Sequence, residues 1–580
     1  MRLRSQKDPM DGALAGDTTS DSSRDNGGSL PHHQQHAYTA DEKALGAGAD
    51  TIEASYIPTD PQYGSTTRAL KSRHIQLIAL GGCIGTGLFV GTGATLSLVG
   101  PAALFLSFLV ISALVWVVMQ DLAELATYIP LSGSSVPFYV HRYVEPSLAF
   151  AAGWNYWYAY AMLVAAEVSA ANIVIGYWSN PVPEAVWITI ILATIVVLNI
   201  FVVSWYGESE FWFASIKILG ILGLIVVGVV LFFGGGPKHD RLGFRYWKDP
   251  PGAFQPYEAP GDTGKFLAFW TALVRSGFAF ILSPELIVLA AGETEAPRRN
   301  IPKASKRFIY RLLCFYILGT LVISIIVSCK DDDLLQAVNS GTSNAGASPF
   351  VVGIQRAGIQ GLNHVVNAVI LTSAWSAGNS FLFAGSRSLY SLAKTGQAPK
   401  IFMTCNRHGV PYYCVAVTAL LACLVYLNVS SGSAQVFTWF VNLTTISGYI
   451  AWIVLMITYL RFRHALSHNG LLHTRPYRSP GQPYASYATL TILIIVTLTN
   501  GFQVFFPGNF SAGSFLAAYI TLPIFVVLYL GHKIWFRTPL FYRVRDIDVW
   551  SGKAEADRLE EEDVPPVAKN WVEKVWFWIA

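Results

Sequence analysis

The chain has 580 residues, of which 53% are hydrophobic and only 13% are charged. Soluble domains carry about 25% charged residues, and apolar runs of about 20 residues, the length that spans a bilayer, recur along this chain. Composition therefore excludes an ordinary soluble protein and predicts an all-α polytopic membrane protein surrounded by the lipid bilayer. The net charge of +4 gives no sign of nucleic-acid binding, because most charges fall in the tails and a few loops.

Two polar tails are predicted to flank one transmembrane domain. Residues 1–66 are rich in Ser, Asp, Gly and His and lack apolar periodicity, which predicts a disordered tail. Residues 67–540 hold the apolar runs. Residues 541–580 form a second tail with an acidic run, Glu560 to Asp563, and an aromatic end, Trp571 to Trp578. Trafficking or ubiquitination factors are candidate partners of both tails.

Twelve membrane spans are predicted from the apolar runs. Lys and Arg accumulate in the loops after spans 6, 8 and 10 and are absent from the loops after spans 1, 9 and 11. Since positively charged loops stay on the cytoplasmic side, both tails are expected in the cytoplasm. In chain order the predicted spans cover residues 75–97, 102–126, 148–172, 185–204, 212–233, 266–292, 310–328, 365–390, 414–428, 437–461, 486–506 and 514–533.

Span 1 contains an unusual concentration of glycine from Gly81 to Gly93, in the sequence GGCIGTGLFVGTG. Glycine lowers helix propensity by about 1 kcal/mol relative to alanine. A broken helix at membrane depth survives only where its free backbone groups face protein, water or a ligand. The segment is therefore either a surface for tight helix packing or half of a binding site, and this span alone leaves both open.

Span 6 has a second interruption, at Ser283, Pro284 and Glu285. Proline in mid-helix removes a backbone hydrogen bond and kinks or breaks the helix, although packing alone also produces such kinks. Spans 1 and 6 each open a block of five spans. Because interrupted segments at corresponding places in two halves indicate a transporter site built from inverted repeats, the two breaks predict a binding site between spans 1 and 6.

Span 8 carries small polar side chains that are further candidates for the site. Ser373, Ser376 and Ser380 share one helical face, and Asn379 lies beside them. Such residues either bond neighbouring membrane helices, which is their commoner use, or line a wet cavity.

Ionisable residues inside membrane spans are expensive and are functional candidates by default. Glu124, near the cytoplasmic end of span 2, and Lys217, near the start of span 5, can instead extend to the membrane surface. Glu167 lies deep in span 3 with no cation nearby in the sequence, so Glu167 and Lys217 are candidates to carry a proton. Arg275 stays charged at any ordinary pH and suits an ion pair, and Glu285 is the fifth candidate.

Four long segments resemble the fungal amino-acid permeases. They are GGCIGTGLFVGTG in span 1, DLAELATYIPLSGSSVPFYVHRYVEPSLAFAAGWNYWY across spans 2 and 3, AGETEAPRRNIPKASKRF after span 6 and TTISGYIAWIVLMITYLRFRHA in span 10. The resemblance covers residues 66 to 540. It implies the five-plus-five inverted-repeat fold of the amino acid-polyamine-organocation superfamily, with spans 1 and 6 unwound and two further spans added.

The resemblance also implies a function. The proline-specific branch of the family is the most similar to segments such as ASPFVVGIQRAGI and LTSAWSAGNSFLFAGSRSLYSLAKTGQAPK. Permeases for 4-aminobutyrate or for several neutral amino acids resemble much of the same sequence. The implied activity is proton-coupled import of L-proline at the plasma membrane, with the proton gradient as driving force and no cofactor. The alternative hypothesis, from a different functional class, is an amino-acid sensor with the same fold. The loops carry no metal cluster, nucleophile motif or phosphate loop, so an enzyme is not expected.

The resemblance further implies where an amino acid binds. In this family the substrate carboxylate is held at the unwound part of span 1 and the amine by nearby backbone carbonyls. Half-helix amino termini favour an anion and unwound carbonyls favour a cation, which agrees with this assignment. The matching carboxylate positions are Gly85, Thr86 and Gly87, and the matching amine positions are Cys83, Ala279 and Leu282.

Other roles are implied by matching positions. Lys217 matches a lysine that takes the place of a sodium ion in proton-coupled relatives, and Glu167 matches the acidic position of span 3. Arg275 and Phe278 match positions that bear on substrate selection. Ser283 stands where basic-amino-acid permeases usually have glycine, and this departure leaves the size of the pocket open.

Overall fold

The structure is a computed structural model that describes residues 84–130, 135–178, 181–201, 203–292, 296–339, 348–431, 433–563, 570–571 and 573. Three predicted features fall wholly or mostly outside these residues. They are the amino-terminal tail over residues 1–66, the backbone at Cys83, and the aromatic end from Trp571 to Trp578.

The described chain is helical, and a helix lies at each of the twelve predicted spans. We number these helices α1 to α12, α12 being a pair with a bend of 48° between its two parts. Their bounds are Gly87–Val99, Pro101–Tyr128, Pro146–Ile175, Glu184–Ile200, Val203–Phe233, Gly261–Leu289, Pro297–Ile326, Leu362–Lys394, Tyr412–Ser430, Gln435–His468, Tyr484–Leu498, and Ala512–Tyr519 with Thr521–Phe536.

Local sequence explains several of these boundaries. Gly100 separates α1 from α2 with φ of +83°, a conformation that glycine adopts without steric cost. Pro101 follows it in the first turn of α2, and Pro146 occupies the first turn of α3. Proline is favoured there because its missing N–H has no intrahelical partner at a helix start.

Seven helices in the described part of the chain are long and apolar enough to cross a membrane, or eight when the bent pair of α12 counts as one span. Helices α1, α4 and α11 are shorter apolar helices. The prediction of an all-helical, polytopic membrane protein is therefore confirmed, while the count of twelve spans stays a prediction.

Helix α3 forms the centre of the bundle and is almost entirely buried. Its main neighbours are α8 and α10. Helices α5 and α12 instead turn apolar side chains outward, with Leu219 69% and Val527 67% exposed. Such outward apolar surfaces suit contact with lipid.

The start of α5 differs from the prediction. The helix begins at Val203, whereas the hydropathy pattern predicted a start at residue 212. Lys217 therefore lies near the middle of α5 and its side chain is fully buried, so it does not extend to the membrane surface. The extra turns also bring Glu210 into the helix.

The described part of the carboxyl tail packs on the helical bundle. Its helix Lys553–Glu561 presents acidic side chains to Arg298 at the start of α7. The Arg298 guanidinium lies 2.7 Å from both the Asp557 and the Glu560 carboxylates, and its Nε donates to the Thr127 carbonyl at the end of α2. Arg298 therefore joins α7 to α2 and binds the acidic side chains of the carboxyl tail.

Candidate functional site

The described part of α1 begins with the non-helical residues Ile84 and Gly85, and helix follows through a wide π-helical turn over Gly87–Gly91. We call this non-helical start the α1 break. A carboxyl group occupies the backbone donor at Thr86. The Thr86 amide lies 3.2 and 3.3 Å from the two Glu167 carboxylate oxygens, and the Thr86 hydroxyl donates to Glu167 at 3.1 Å. Both side chains are buried, so the start of the described α1 holds a carboxyl group in a dry environment.

Two glycines of the break allow very close approach. A Cβ atom at position 85 would lie 2.1 Å from Glu167 Oε1. A Cβ at position 87 would lie 2.7 Å from the Ala279 Cα and 3.1 Å from the Phe278 ring. Close packing therefore accounts for both glycines, since Gly87 permits the approach of α6 and Gly85 makes room for the Glu167 carboxyl group, while a ligand site at this segment stays a prediction.

The break in α6 lies just before the predicted position. A short 3-10 turn over Gly277–Ala279 is followed by non-helical residues, and regular helix resumes at Ser283. Leu282 has φ of +55°, a left-handed conformation that costs a residue with a Cβ about 1–2 kcal/mol. The expectation of a mid-helix kink at Ser283, Pro284 and Glu285 is thus corrected, because Pro284 sits in the first turn of the second half, where proline is tolerated.

Side chains from other helices contact the carbonyls of both breaks. The Tyr316 hydroxyl donates to the Ala279 carbonyl at 3.1 Å, and the Ser373 hydroxyl donates to the Ile84 carbonyl at 2.6 Å. The Tyr160 hydroxyl lies 3.5 Å from the Leu282 carbonyl oxygen. Ser283 Oγ, by contrast, is buried without a hydrogen-bond partner among the described residues.

A cavity of about 110 Å³ lies beside the point where the two breaks meet. Residues of α1, α2, α6 and α10 line it, including Gly87, Ala279 and the predicted selectivity residues Arg275 and Phe278. The remaining lining residues are Gly91, Thr92, Ala94, Thr95, Phe108, Ser276, Phe437, Thr438, Val441 and Asn442. The aromatic ring of Phe278 and polar side chains such as Arg275 thus border the same small cavity.

Helices α5 and α8 share a buried polar network near this region. Lys217 Nζ lies 3.7 Å from Glu210 Oε1, and the Ser376 hydroxyl donates to Glu210 Oε2 at 2.7 Å. Nearby, the amide of Asn199 in α4 donates to Asn379 at 2.8 Å. The serine face of α8 therefore bonds neighbouring helices, and its first member, Ser373, supports the α1 break.

The sequence did not indicate Glu210 as a candidate, because span 5 was expected to begin after it. A usable signal was present, since Glu210 and Lys217 are seven residues apart and therefore share a helical face. Helix α8 connects this pair to Glu167, because Ser376 donates to Glu210 and a Cβ at Gly378, two residues further on, would lie 3.6 Å from Glu167 Cβ. The two candidate proton carriers thus belong to one region of the protein.

Two other acidic candidates make structural contacts away from the cavity. Glu124 is fully buried, so it does not reach the membrane surface. It pairs with Arg475 and accepts from the Ser479 amide at 2.7 Å and from the Tyr459 hydroxyl at 3.0 Å. Glu285, in the second half of α6, accepts from the Tyr156 hydroxyl at 3.3 Å. Neither side chain lines the cavity.

These observations define a class of protein: a multi-pass helical membrane protein in which the non-helical start of the described α1 and an interrupted α6 meet beside a small cavity. Among the described residues there is no cluster of His, Cys, Asp and Glu that could hold a metal ion. The chain belongs to the Amino acid permease family, whose family model matches residues 74–541. The members of this family are transporters rather than enzymes.

Three relatives cover most of the chain. A proline-specific permease of Emericella nidulans is 59% identical over 518 residues, which are 89% of this chain and 94% of the relative. A probable proline-specific permease of Schizosaccharomyces pombe is 61% identical over 92% of this chain and 96% of its own length. A proline-specific permease of Saccharomyces cerevisiae is 50% identical over 89% of this chain and 84% of its own length.

Proposed function

We propose that the chain imports L-proline across the plasma membrane together with a proton. The names of the three relatives support proline as the substrate. The structural observation that carries the proposal is the grip of the α1 break on a carboxylate, because every amino acid presents that group. In this proposal twelve spans form two inverted repeats of five with α11 and α12 added, residues 67–540 are the transport domain, and both tails are cytoplasmic.

In the bound state the proline carboxylate takes the donors at Gly85, Thr86 and Gly87. The positive end of the outer half of α1 favours the anion. The amine faces the backbone carbonyls near Cys83, Ala279 and Leu282, since unwound carbonyls favour a cation. The cavity beside Gly87 and Ala279 supports this arrangement.

The walls of the cavity determine which side chain fits. The Phe278 ring borders the cavity and gives an apolar surface for the ring carbons of proline. Arg275, on the same wall, attracts the carboxylate of an entering amino acid. Ser283 Oγ, which has no partner among the described residues, faces the α6 break as a further polar contact.

Proton coupling follows from competition for the α1 donors. Glu167 now accepts from the Thr86 amide and hydroxyl, so a substrate carboxylate needs Glu167 to release them. Protonation weakens the carboxyl group as an acceptor, because hydrogen bonds to an ionised group are about twice as strong as neutral ones. Helix α8 links the two proton-carrying candidates, since Ser376 holds Glu210 beside Lys217 and Gly378 packs beside Glu167. The bundle then rocks inward, where the proton and proline leave.

The test is uptake of labelled L-proline in yeast that lacks its own amino-acid permeases, with the empty vector as control. Alanine and 4-aminobutyrate serve as competitors, and a protonophore collapses the proton gradient. We expect the cells to accumulate labelled proline. Unlabelled proline should compete better than alanine or 4-aminobutyrate, and the protonophore should abolish the accumulation. Better transport of 4-aminobutyrate than of proline would assign another substrate within the family, and signalling without uptake would identify a sensor. Uptake that persists after the gradient collapses would refute proton coupling.

A further inference from the structure

Helix α5 carries a second buried charge two turns before Lys217. The side chains of Glu210 and Lys217 are both 0% exposed, and their charged atoms approach to 3.7 Å. Ser376 of α8 fixes the other carboxylate oxygen with a hydrogen bond of 2.7 Å. Since removing one partner of a buried ion pair leaves an uncompensated charge, the two residues must be considered as one unit.

The charge of this unit depends on one proton. With Lys217 protonated and Glu210 ionised, the pair has no net charge. Loss of the lysine proton leaves a net charge of −1 in a buried place, which is unfavourable. Without the Glu210 charge the deprotonated form of Lys217 is the favoured one, because the protonated lysine alone carries +1 in a buried place and the deprotonated lysine is neutral.

We propose that Glu210 is a positioning residue for proton coupling: it makes the protonated form of Lys217 the neutral, stable form of the buried pair. The proposal rests on the proposed function, in which Lys217 takes part in coupling. Glu210 need not touch the substrate. It acts through Lys217, while Ser376 holds Glu210 in place from a different helix.

The segments packed on the pair contain few ionisable groups. The part of α8 from Ser373 to Phe383 contains none, nor does Leu318–Ile326 of α7. Helix α4 contributes Glu184 alone, at its far start, where it accepts from Asn172.

Other ionisable groups lie elsewhere on these helices. Leu312–Ile317 of α7 holds Cys314 and Tyr316, and the buried Arg311 just before it donates to the Tyr316 hydroxyl at 3.0 Å. Helix α5 itself adds Tyr206 and Glu208. The ends of α7 and α8 carry the remaining groups, which are Arg298, Arg299, Lys303, Lys306, Arg307, Tyr310, His364, Arg387, Tyr390 and Lys394.

The first test is the pH profile of proline uptake by Glu210→Gln. An opposite charge at this distance shifts a titration midpoint by about 1–3 units. We expect half-maximal uptake to move to a more acidic external pH by about that amount, with the Glu210→Asp variant between Glu210→Gln and the wild type. Ser209→Ala is the matched control, because it removes a hydrogen bond of 2.9 Å within the same turn and no charge. Its profile should match the wild type.

A second test covers the case in which Glu210→Gln fails to reach the cell surface. The double variant Glu210→Gln with Lys217→Met restores a neutral pair. We expect it to have higher surface levels than Glu210→Gln alone and to exchange internal for external proline, yet not to accumulate proline. Such non-additive behaviour reports direct coupling between two residues.

The outcomes separate this inference from the proposed function. If wild-type proline uptake is absent or insensitive to the proton gradient, the proposed function is wrong. If the wild type is coupled but the pH profile of Glu210→Gln superimposes on it, the role of Glu210 is refuted while the function stands. If the double variant adds the losses of the two single variants, the pair does not act as one unit.

Discussion

The close approach of α1 and α6 at Gly87 gives a sharp prediction. Replacing Gly87 with alanine places a Cβ atom 2.7 Å from the Ala279 Cα. Ordinary van der Waals contact starts at 3.4 Å, so the backbones of α1 and α6 must separate by at least 0.7 Å. The obstacle is backbone rather than the end of a flexible side chain, and therefore it cannot be relieved by a rotamer change.

The magnitude follows from known costs of overpacking. Extra methyl groups in a packed interior cost about 1–3 kcal/mol. If this strain falls on the geometry that binds substrate, the KM for proline rises about 5- to 150-fold. The assay is labelled-proline uptake over a range of concentrations, normalised to the amount of transporter at the cell surface.

Gly223→Ala in α5 is the matched control, because Gly223 is a helical glycine that does not line the cavity. A Cβ at position 223 meets no atom within 4 Å. We therefore expect a change in KM of less than about twofold, as for substitutions that disturb no contact. Equal, near wild-type kinetics for Gly87→Ala and Gly223→Ala would refute the claim that close approach of α1 and α6 is needed for transport.

Three further predictions concern single contacts. Thr86→Val removes the hydroxyl donor to Glu167 and should raise the KM about fivefold, for a net loss of about 1 kcal/mol. Thr458→Val loses only a bond to its own helix, away from the cavity, and should leave the KM unchanged; equal effects would contradict the role of Thr86. Lys217→Ala should abolish proline accumulation more than proline binding, and wild-type accumulation would remove its role in coupling. Arg298→Ala should make the carboxyl tail cleavable by added protease in permeabilised cells. The control Arg558→Ala loses only an exposed ion pair and should leave the tail protected. Cleavage of both tails at the same rate would show that Arg298 does not hold this segment.

Much of the membrane architecture could be predicted from the sequence because its causes are local. Apolar runs determine where helices form, and glycine and proline determine where they cannot continue smoothly. The interruption of α6 was predicted in this way, although it begins before Ser283 rather than at it, and the interruption of span 1 extends into residues that the structure does not describe. The start of α5 was missed because Val203 to Phe211 includes polar residues that hydropathy alone excludes from a span.

The contacts of the candidate site depended on the tertiary structure. Thr86 and Glu167 are 81 positions apart, and only the packing of α1 on α3 brings the amide and the carboxylate together. Likewise, hydropathy does not reveal that Glu210 completes a buried pair with Lys217. The sequence by itself determined the class of protein, its helices and the candidate residues, since these depend on composition and short-range periodicity. The tertiary structure decided which side chains contact one another, because these contacts depend on how helices that are distant in the sequence pack together.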